Sequence, residues 1–352
     1  MKCLLVDVGA GTMDILYVDE AAGLQYKAVV RSPVQTLAAA ADALEGNLAV
    51  SGVEMGGGPV TEVLKQRAKT HTVACTGSAA ATLHHDPERV RSWGIRVETD
   101  AQVEERAGRP GYLRLVLGDL ELERLQNLVE GFGVPFSFDV FGFCAQDHGV
   151  PPAGESHLDY RHRLFRDRLD PAPFPERLLY ERRRIPATFN RLLSAARTAE
   201  ALPAAQVYVM DSGMAAILGA SLDERCRQCR RRLVLDVATS HTVGALLDGE
   251  RLAGFFEYHT RDIDRQRLEE LLQGLADGRL SHRQILAEGG HGAYIRKGVG
   301  FDRVEIILAT GPKRDLLQGT SLPVVYGAPL GDNMMTGTAG LLEAIRRRRR
   351  SE

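Results

Sequence analysis

Apolar positions along the chain form short runs that alternate with stretches of helical spacing. The run "FSFDVFGFCAQ" (136–146) has the length and the aromatic content of a buried strand. The segments "DLELERLQNLVEGFG" (119–133) and "ATFNRLLSAARTAEAL" (187–202) carry apolar residues at the period of an α-helix. Strands that alternate with helices predict the α/β class, with wound sheets.

The stretch "LLVDVGAGTMDILYVD" (4–19) predicts a β-hairpin. Residues 3–8 and 13–18 form two apolar strands, and the turn between them contains Gly9 and Gly11. The dinucleotide pattern G-x-G-x-x-G is excluded because Asp14 stands where its third glycine belongs, and the phosphate-loop pattern G-x-x-x-x-G-K-[ST] does not occur.

Asp7 lies at the bend of this hairpin, beside two glycines that let a ligand approach the backbone closely. Successive amide N–H groups in such a turn form an anion-binding nest, and a neighbouring carboxylate holds Mg²⁺ against phosphates, usually through water. The stretch therefore predicts a phosphate site. The alternative is an ordinary hairpin with a surface aspartate.

A second copy of the hairpin favours the phosphate site. Residues 233–248, "LVLDVATSHTVGALLD", align without gaps on residues 4–19 and pair Asp7 with Asp236. Both copies then continue into a third apolar run. The chain is therefore predicted to be internally duplicated.

The duplication is predicted to extend downstream. Residues 48–68 and 304–319 each contain an apolar strand, a Gly-Pro pair and a helical pattern. Residues 72–83 and 322–345 each contain a strand, a glycine turn and a helix of small residues. Two like lobes follow from this pairing.

Five segments, in order along the chain, carry a family resemblance. Asp7-x-Gly9-x-Gly11-Thr12 resembles the first phosphate motif of the actin, hexokinase and 70-kilodalton heat-shock ATPase superfamily, and "VLDVATSHTVGALLDG" (234–249) resembles the second. The segments that resemble its connecting helices and adenosine motif are "DSGMAAILGASLD" (211–223), "GDNMMTGTAGLLEAI" (331–345) and "IILATGP" (306–312). The resemblance implies an α/β fold duplicated into two actin-like, ribonuclease H-like lobes around a central nucleotide cleft.

Two domains are expected on this basis. The first lobe covers residues 1–222, the second covers 230–331, and a helix at 332–352 returns to the first lobe. Residues 146–186 are rich in Pro, Arg and His without a clear apolar period, so they are expected to be an irregular insertion in the first lobe. Such a segment is a lid, a partner surface or a disordered stretch.

The resemblance also implies sites for ATP and Mg²⁺. Asp7 and Asp236 are expected to flank the metal, because two carboxylates that face one cleft repel each other unless a cation or a proton lies between them. The residues expected to contact the nucleotide are Gly9, Gly11, Thr12, Ser240, His241, Thr242, Gly311 and Pro312. The alternative is that these residues only preserve the turns of the fold.

The remaining candidates lie near predicted loops. Asp147 and His148, in "QDHG", are candidate catalytic residues: a general base, a pair of metal ligands, or simply a turn that caps the next segment. His241, His259 and His291 are also placed near loops and, with His148, offer a possible metal site. A single histidine is more often an ordinary hydrogen-bonded residue.

A closer resemblance is to an actin-like family whose members are often labelled putative pyruvate formate-lyase activating enzyme. It is carried by "MGGGP" (55–59), "QDHG" (146–149), "DSGMAAILGA" (211–220), "SHTVGAL" (240–246) and "GHGA" (290–293). Radical enzymes that activate pyruvate formate-lyase use a C-x-x-x-C-x-x-C motif, which does not occur here. Cys226 and Cys229 form a C-x-x-C beside arginines, either a reactive pair or part of a polar linker.

Composition narrows the class of protein. With 352 residues, 44% of them hydrophobic, the chain is long enough for two cores, and its net charge of -2 gives no general attraction to nucleic acid or membrane. The basic run at 346–350 is expected to be a solvated tail. No apolar run reaches the ~20 residues of a membrane span, no signal peptide is evident, and five irregularly spaced cysteines fit a reducing cytoplasm.

Three functions remain open on the sequence. The first is an ATPase or phosphotransferase acting on a small-molecule acceptor. The second is a nucleotide-switched activating or reactivating factor whose partner is a protein client. The third is a degenerate actin-like fold with a metal-dependent or structural role, because Ala238, Thr239 and Ser240 replace the glycine-rich turn usual in the second phosphate motif.

Overall fold

The computed structural model describes residues 1–152 and 154–351. Its strands are β1 (Lys2–Val8), β2 (Thr12–Asp19), β3 (Leu24–Arg31), β4 (Asn47–Gly52), β5 (Val73–Thr76), β6 (Arg96–Glu98), β7 (Tyr112–Leu117), β8 (Phe138–Ala145), β9 (Leu179–Glu181), β10 (Ala204–Asp211), β11 (Arg231–Val237), β12 (His241–Asp248), β13 (Arg251–His259), β14 (Gly292–Ile295), β15 (Ile306–Thr310) and β16 (Val324–Tyr326). Its α-helices are α1 (Pro33–Ala43), α2 (Gly58–Arg67), α3 (Gly77–Ala81), α4 (Pro87–Ser92), α5 (Asp100–Ala107), α6 (Leu122–Glu130), α7 (His157–Leu169), α8 (Asn190–Thr198), α9 (Ser212–Ala220), α10 (Arg265–Ala276), α11 (His282–Ala287) and α12 (Thr336–Ser351). Residue 153 of the predicted insertion and residue 352 of the predicted last helix lie outside the described residues.

The first-lobe sheet is built around the opening hairpin. Its strand order is β3-β2-β1-β8-β10-β9, in which β1, β8 and β10 are parallel and the other strands are antiparallel to their neighbours. The three parallel strands are almost entirely buried, as expected for strands covered on both faces. The predicted strand at 136–146 is β8, and the predicted helices at 119–133 and 187–202 contain α6 and α8.

The second-lobe sheet repeats the first. Its order is β14-β13-β12-β11-β15-β16, and all seven residue pairs of the β1–β2 hairpin recur in β11–β12 at equivalent positions. Lys2 pairs with Asp19, and Arg231 pairs with Asp248. The parallel neighbours also match, because Asp7 lies beside Cys144 and Asp236 lies beside Thr310. The predicted duplicated, two-lobed actin-like α/β fold is confirmed.

The predicted downstream pairing is wrong. β4 and β5, which were aligned with 304–319 and 322–345, belong to a separate four-stranded sheet of order β6-β5-β4-β7 with its own apolar core. The strands that occupy the places of β15 and β16 in the first lobe are β8 and β10. The Gly-Pro pair at 58–59 occurs at an ordinary helix start, a feature that many unrelated strand–helix units share.

Helices α9 and α12 cross at glycines. They follow β10 and β16, which hold equivalent places in the two sheets. A Cβ atom on Gly219 would overlap Thr336 O, and a Cβ atom on Gly340 would overlap Ala215 O. The helix backbones are therefore close enough to touch, which only glycine allows at these positions. On its other side, α12 packs Leu341 and Ile345 against β8.

The basic run at 346–350 differs from the expected solvated tail: it continues α12 to Ser351, and of its arginines only Arg349 and Arg350 are exposed. Arg346 pairs with Glu20 at 2.8 Å, and the half-buried Arg347 pairs with Glu176 at 3.1 Å. Ion pairing to the first lobe therefore extends the helix through the arginines.

The segment 146–186 is more regular than its composition predicts. It contains α7 and the edge strand β9, and α7 buries Arg161, His162 and Phe165. Inward-facing polar residues hide the apolar period from the sequence. The segment also bridges the lobes, because Asp159 lies 3.1 Å from His282 Nε2 and Tyr294 Oη donates to Asp170 Oδ1 at 3.0 Å.

No helix in the described part of the chain has both the length and the apolar character needed to cross a bilayer.

Candidate functional site

A cavity of about 810 Å³ lies between the two hairpin turns and the four-stranded sheet. The predicted site residues that line it are Asp7, Gly9, Gly11, Thr12, Asp147, His148, Asp236, Ser240, His241, Gly311 and Pro312. Thr242 is not among the lining residues; it is fully buried, and its hydroxyl lies 3.0 Å from Thr260 Oγ1. The fold therefore brings together nearly all the residues that the sequence singled out.

Asp7 lies at the carboxyl end of β1, at the floor of the cavity. Burial raises the pKa of its carboxyl to about 7; a hydrogen bond with Cys144 opposes this shift, and the negative charge of Asp236 adds to it. A Cβ atom on Gly337 would overlap Asp7 Oδ2, so the first turn of α12 lies against the carboxylate. The partial positive charge of the helix amino end favours an anion there.

Asp236 occupies the equivalent place at the end of β11. Burial raises the pKa of its carboxyl to about 6, although Thr310 Oγ1 donates to Asp236 Oδ1 at 3.1 Å. Asp7 and Asp236 therefore occupy equivalent strand ends on the two sides of the cleft, and burial raises the pKa of both carboxyls.

A third carboxylate, Asp14, was not predicted as a site residue. It pairs with Asp7 across the β1–β2 ladder, lines the cavity and is buried. Burial, followed by the charge of Asp7, raises the pKa of Asp14 to about 8, and its Oδ1 atom has no hydrogen-bond partner. Its signal in the sequence is an aspartate inside an apolar run.

The two hairpin turns close in the same way. Gly9 N–H donates to Thr12 O at 3.0 Å, and Ala238 N–H donates to His241 O at 3.0 Å. The Gly9 amide is thus engaged within its own turn. A Cβ atom on Gly11 would lie 2.9 Å from Thr239 Cγ2, so the turns of the two lobes nearly touch.

The turn after β15 holds Gly311 in a left-handed conformation at φ 88°. A Cβ atom there would lie 2.5 Å from Val237 O, so the position needs glycine both for its conformation and for its close approach to β11. Asn333 Nδ2 donates to Gly311 O at 3.1 Å and ties this turn to the segment before α12.

Asp147 is held by backbone donors on both carboxylate oxygens. Gly149 N–H donates to Oδ1 at 2.8 Å and Leu192 N–H donates to Oδ2 at 3.0 Å. Burial nevertheless raises the pKa of Asp147 to about 6. Burial also holds the pKa of His148 well below its usual value, so this imidazole is neutral. Both carboxylate oxygens of Asp147 are therefore engaged by the backbone of the turn and of α8.

Arg191 is a cation of the cleft that the sequence did not single out. It makes two bonds to Asp119, at 2.7 and 2.9 Å, and donates to Gln146 O at 2.9 Å. It lines the cavity, and its charge lowers the pKa of Asp7. Gly56 lets it approach, because a Cβ atom there would lie 3.0 Å from an Arg191 Nη atom.

A buried ion network joins the lobes behind the cavity. Arg161, which is 1% exposed, donates to Asp211 Oδ2 at 2.8 Å and to Glu257 Oε1 at 3.2 Å. Burial alone would raise the pKa of Glu257, but the charge of Arg161 holds it below its usual value. Gln146 Nε2 also donates to Glu257 Oε1, at 3.0 Å.

The cysteines do not form a reactive pair. Cys226 is fully buried, and burial raises the pKa of its thiol to about 11, which disfavours the reactive thiolate. The five cysteines are all free.

A family model matches residues 55–316, well over half of the chain. Its description is "Putative pyruvate format-lyase activating enzyme (DUF1786)". None of the curated proteins compared with the sequence matches it.

Several solved structures are similar at low sequence identity. A putative N-acetylmannosamine kinase from Listeria monocytogenes is 11% identical with a TM-score of 0.27; the match covers 72% of this chain and 49% of the kinase, so the chain spans about half of its length. An inorganic polyphosphate/ATP-glucomannokinase from Arthrobacter sp. strain KM is 11% identical over 98% of this chain and 99% of its own, with a TM-score of 0.36. The PilM-PilN type IV pilus biogenesis complex is 13% identical over 98% of both chains, with a TM-score of 0.38. These TM-scores indicate weak similarity, whereas the chain's own two sheets of matching strand order show the duplicated fold.

Proposed function

This chain belongs to the family whose model matches residues 55–316, and we propose that it binds ATP with Mg²⁺ and acts as an ATPase or a phosphotransferase on a small-molecule acceptor. The proposal includes a cytoplasmic location, which the five free cysteines support. It includes neither a nucleic acid nor a membrane as partner.

The observation that carries the proposal is the pairing of Asp7 and Asp236 across one cleft. The two aspartates end equivalent strands, and both line the cavity beside the hairpin turns. Because burial raises the pKa of both carboxyls, a cation between them would stabilise their ionised forms more than it would stabilise a surface aspartate. Oxygen ligands of this kind suit Mg²⁺, which is usually held by one or two carboxylates and several waters.

The cavity also suits a nucleotide. Its volume of about 810 Å³ lies within the usual range for small-molecule sites, roughly 300–1,000 Å³. When bound, magnesium-ATP would supply a transferable phosphoryl group. The chain's own part is to orient it: Thr12 and Ser240 offer hydroxyl donors on opposite sides, and the Gly311 turn receives the adenosine end.

The wall formed by the four-stranded sheet and the QDHG turn is the proposed acceptor side. Gly57, His85, Asp147 and His148 line this part of the cavity. Asp147 and His148 remain the candidates for groups that act on the acceptor. Arg191 lines the same cavity and, although it is paired with Asp119, its charge acts on Asp7, so it is suited to a phosphoryl group in transfer.

A second candidate function is a nucleotide-switched factor that acts on a protein client. The glycine crossing of α9 and α12 favours it, because two packed helices with little side-chain interlocking can slide or pivot as lobes close. In that case the protein acts on its client through closure of the two lobes, and it hydrolyses ATP slowly.

The family description names an activating enzyme, and radical enzymes of that kind hold a cluster on a C-x-x-x-C-x-x-C motif. The cysteines of this chain do not fit such a cluster. Iron–sulfur clusters are held by cysteine thiolates, and four of the five cysteines are buried in separate places, at Cys3, Cys75, Cys144 and Cys226. Among the residues with a described position, the potential metal ligands found in a group of three or more are histidines.

Thermal unfolding with ATP or ADP, each with and without Mg²⁺, tests the proposal. Ligand bound to the native state raises the unfolding temperature by mass action, so we expect a rise with magnesium-nucleotide and a smaller one without the metal. If the unfolding temperature rises and a small-molecule acceptor accelerates slow phosphate release, the phosphotransferase is supported. If the unfolding temperature rises and only a protein partner changes the rate of phosphate release, the nucleotide-switched factor is favoured. No rise with any nucleotide favours the degenerate fold.

A further inference from the structure

Three histidines from separate elements converge at one end of the second-lobe sheet. His241 begins β12 and His259 ends β13, where the two residues are direct partners in the ladder. His291 immediately precedes β14, and its backbone N–H donates to Glu257 O at 2.8 Å. Antiparallel pairing therefore holds three imidazoles at one corner of the sheet.

The spacing of the three rings suits a shared ligand. One ring nitrogen of each residue lies within 4.8 Å of the others. The ring centroids are 4.7 Å apart for His241 and His259, 4.9 Å for His241 and His291, and 4.2 Å for His259 and His291. Nitrogens bound to one tetrahedral zinc ion at ~2.0–2.1 Å lie about 3.3 Å apart, so small ring rotations complete the site. His148 is more distant, with its ring 6.2 Å from that of His291.

Two buried ring nitrogens point to a missing partner. His241 Nε2 and His291 Nδ1 have no hydrogen bond. The other nitrogen of His241, Nδ1, lies 2.8 Å from Ser240 Oγ. Metal-binding histidines usually bond one nitrogen to a protein group and direct the other at the metal, and His241 has this arrangement.

The cluster is open to the cavity on one side. His241 and His259 line the cavity, together with Ser240 and Asp236, whereas His291 is buried behind them. A metal held by three protein ligands keeps a fourth position for water or a ligand oxygen. Here that position faces the cleft.

From this geometry we propose that His241, His259 and His291 bind a divalent transition-metal ion of the zinc class, whose open position takes water or an oxyanion in the cleft. Imidazole ligands favour zinc, copper, iron and nickel, whereas magnesium favours the oxygen ligands of Asp7 and Asp236. The histidine site is thus chemically distinct from the proposed nucleotide metal, and it does not depend on nucleotide binding. An ion at the turn formed by Ala238 and Ser240 supplies anion affinity where a glycine-rich turn is lacking.

Metal titration of the intact, chelator-stripped protein tests the site. Co²⁺ is the probe, because its visible bands intensify when the ion is held in tetrahedral coordination, and Zn²⁺ is added in competition. We expect one equivalent of Co²⁺ to bind with saturable visible bands that one equivalent of Zn²⁺ removes. His259→Ala and His291→Ala should each weaken the affinity at least tenfold.

Three variants separate this site from other ligands. His71→Ala removes an exposed histidine outside the cavity, and His282→Ala removes one from the pair with His162; both should bind within twofold of the wild type. Asp7→Asn should also keep its Co²⁺ affinity, which distinguishes this site from the magnesium site. Circular dichroism checks each fold, and His259→Gln replaces any alanine variant that unfolds. Absence of saturable Co²⁺ bands in the wild type, unchanged affinity in the folded cluster variants, or loss of the bands in His282→Ala would overturn the proposal.

Discussion

Arg161 is a fully buried cation, and its replacement is expected to destabilise the protein strongly. In Arg161→Met the side-chain volume stays similar, but Asp211 and Glu257 lose the guanidinium that they share. Breaking a buried ion pair by removing one partner costs about 3–5 kcal/mol, because the remaining charges stay buried. Urea unfolding of the variant should show a loss of that size in the free energy of unfolding.

Arg163→Met is the matched control on the same helix. The Arg163 side chain is 53% exposed and pairs with Glu155 at the surface, so its loss should cost no more than about 1 kcal/mol. Equal stability of the two variants would contradict the assigned role of Arg161.

Asp147→Asn distinguishes a structural aspartate from a catalytic one. An asparagine has one acceptor oxygen, so either Gly149 N–H or Leu192 N–H loses its partner. We expect the free energy of unfolding to fall by about 1–3 kcal/mol. Asp86→Asn is the control, because Asp86 is exposed and accepts a backbone N–H on one oxygen only. A variant of wild-type stability that has lost turnover would instead establish the catalytic role.

Asp248 is expected to make the stability of the second lobe depend on pH in the acid range. Hydrogen bonds from Lys297 and Arg230 hold the pKa of Asp248 at about 2, below the ~3.9 of an unfolded chain. Because the folded state takes up this proton only at lower pH, the stabilisation is complete above about pH 4 and is lost as the pH falls towards 2. The wild type should therefore exceed Asp248→Asn in unfolding free energy at pH 6, and the difference should shrink at pH 2.5. A difference that stays constant between these pH values would refute the assignment.

A repeated pattern pointed to two aspartates of the candidate site, whereas the local pattern QDHG pointed to Asp147 and His148. Asp7 and Asp236 were identified because the hairpin occurs twice. Asp14 was not, because its counterpart in the second copy is Val243, and an aspartate inside an apolar run does not by itself indicate a function. Arg191 was missed because its role depends on Asp119, which lies far away in the sequence.

The crossing of helices α9 and α12 is expected to tolerate no added methyl group. A Cβ atom on Gly340 would overlap the Ala215 carbonyl, which belongs to a helix backbone and cannot rotate away. Gly340→Ala should therefore lower the free energy of unfolding by about 1–3 kcal/mol through overpacking. Differential scanning calorimetry measures the shift.

Gly77→Ala is the control for that substitution. Gly77 begins α3, and a Cβ atom there would meet nothing within 4 Å. Alanine at such a position is neutral or stabilises by up to ~1 kcal/mol, because it restricts the unfolded chain. If Gly340→Ala behaved like Gly77→Ala, the close helix crossing would be wrong.

The hairpins and isolated helices were predictable because their signals are local. The partners of β8 and β10 were not, since parallel strands come together over long sequence separations and any buried apolar run fits several places in a sheet. The helix α7 was missed because Arg161 and His162 occupy inward positions that a sequence pattern expects to be apolar. Similarly, the three histidines of the proposed metal site converge only after β12, β13 and β14 pair.

The duplication in the sequence predicted both the two-lobed fold and the location of the cleft between the lobes. Two copies of one sheet place their equivalent strand ends face to face, so Asp7 and Asp236 had to meet if the lobes closed on each other. The sequence could not predict that segment 146–186 bridges the lobes, because the bridge depends on contacts between distant residues, such as that of Asp159 with His282.

Calorimetric titration with magnesium-ATP, combined with thermal unfolding, is the most direct test of the two-aspartate cleft. Asp7→Asn and Asp236→Asn each remove a partly buried charge without removing volume. Without ligand both variants should unfold at a higher temperature than the wild type, because burial disfavours the ionised carboxyl in the folded state. Both should bind magnesium-ATP at least tenfold more weakly, a loss of ~1.4 kcal/mol or more. Asp42→Asn, an exposed change outside the cavity, should match the wild type in both measurements. Wild-type affinity in both cleft variants, or no binding by the wild type itself, would contradict the account.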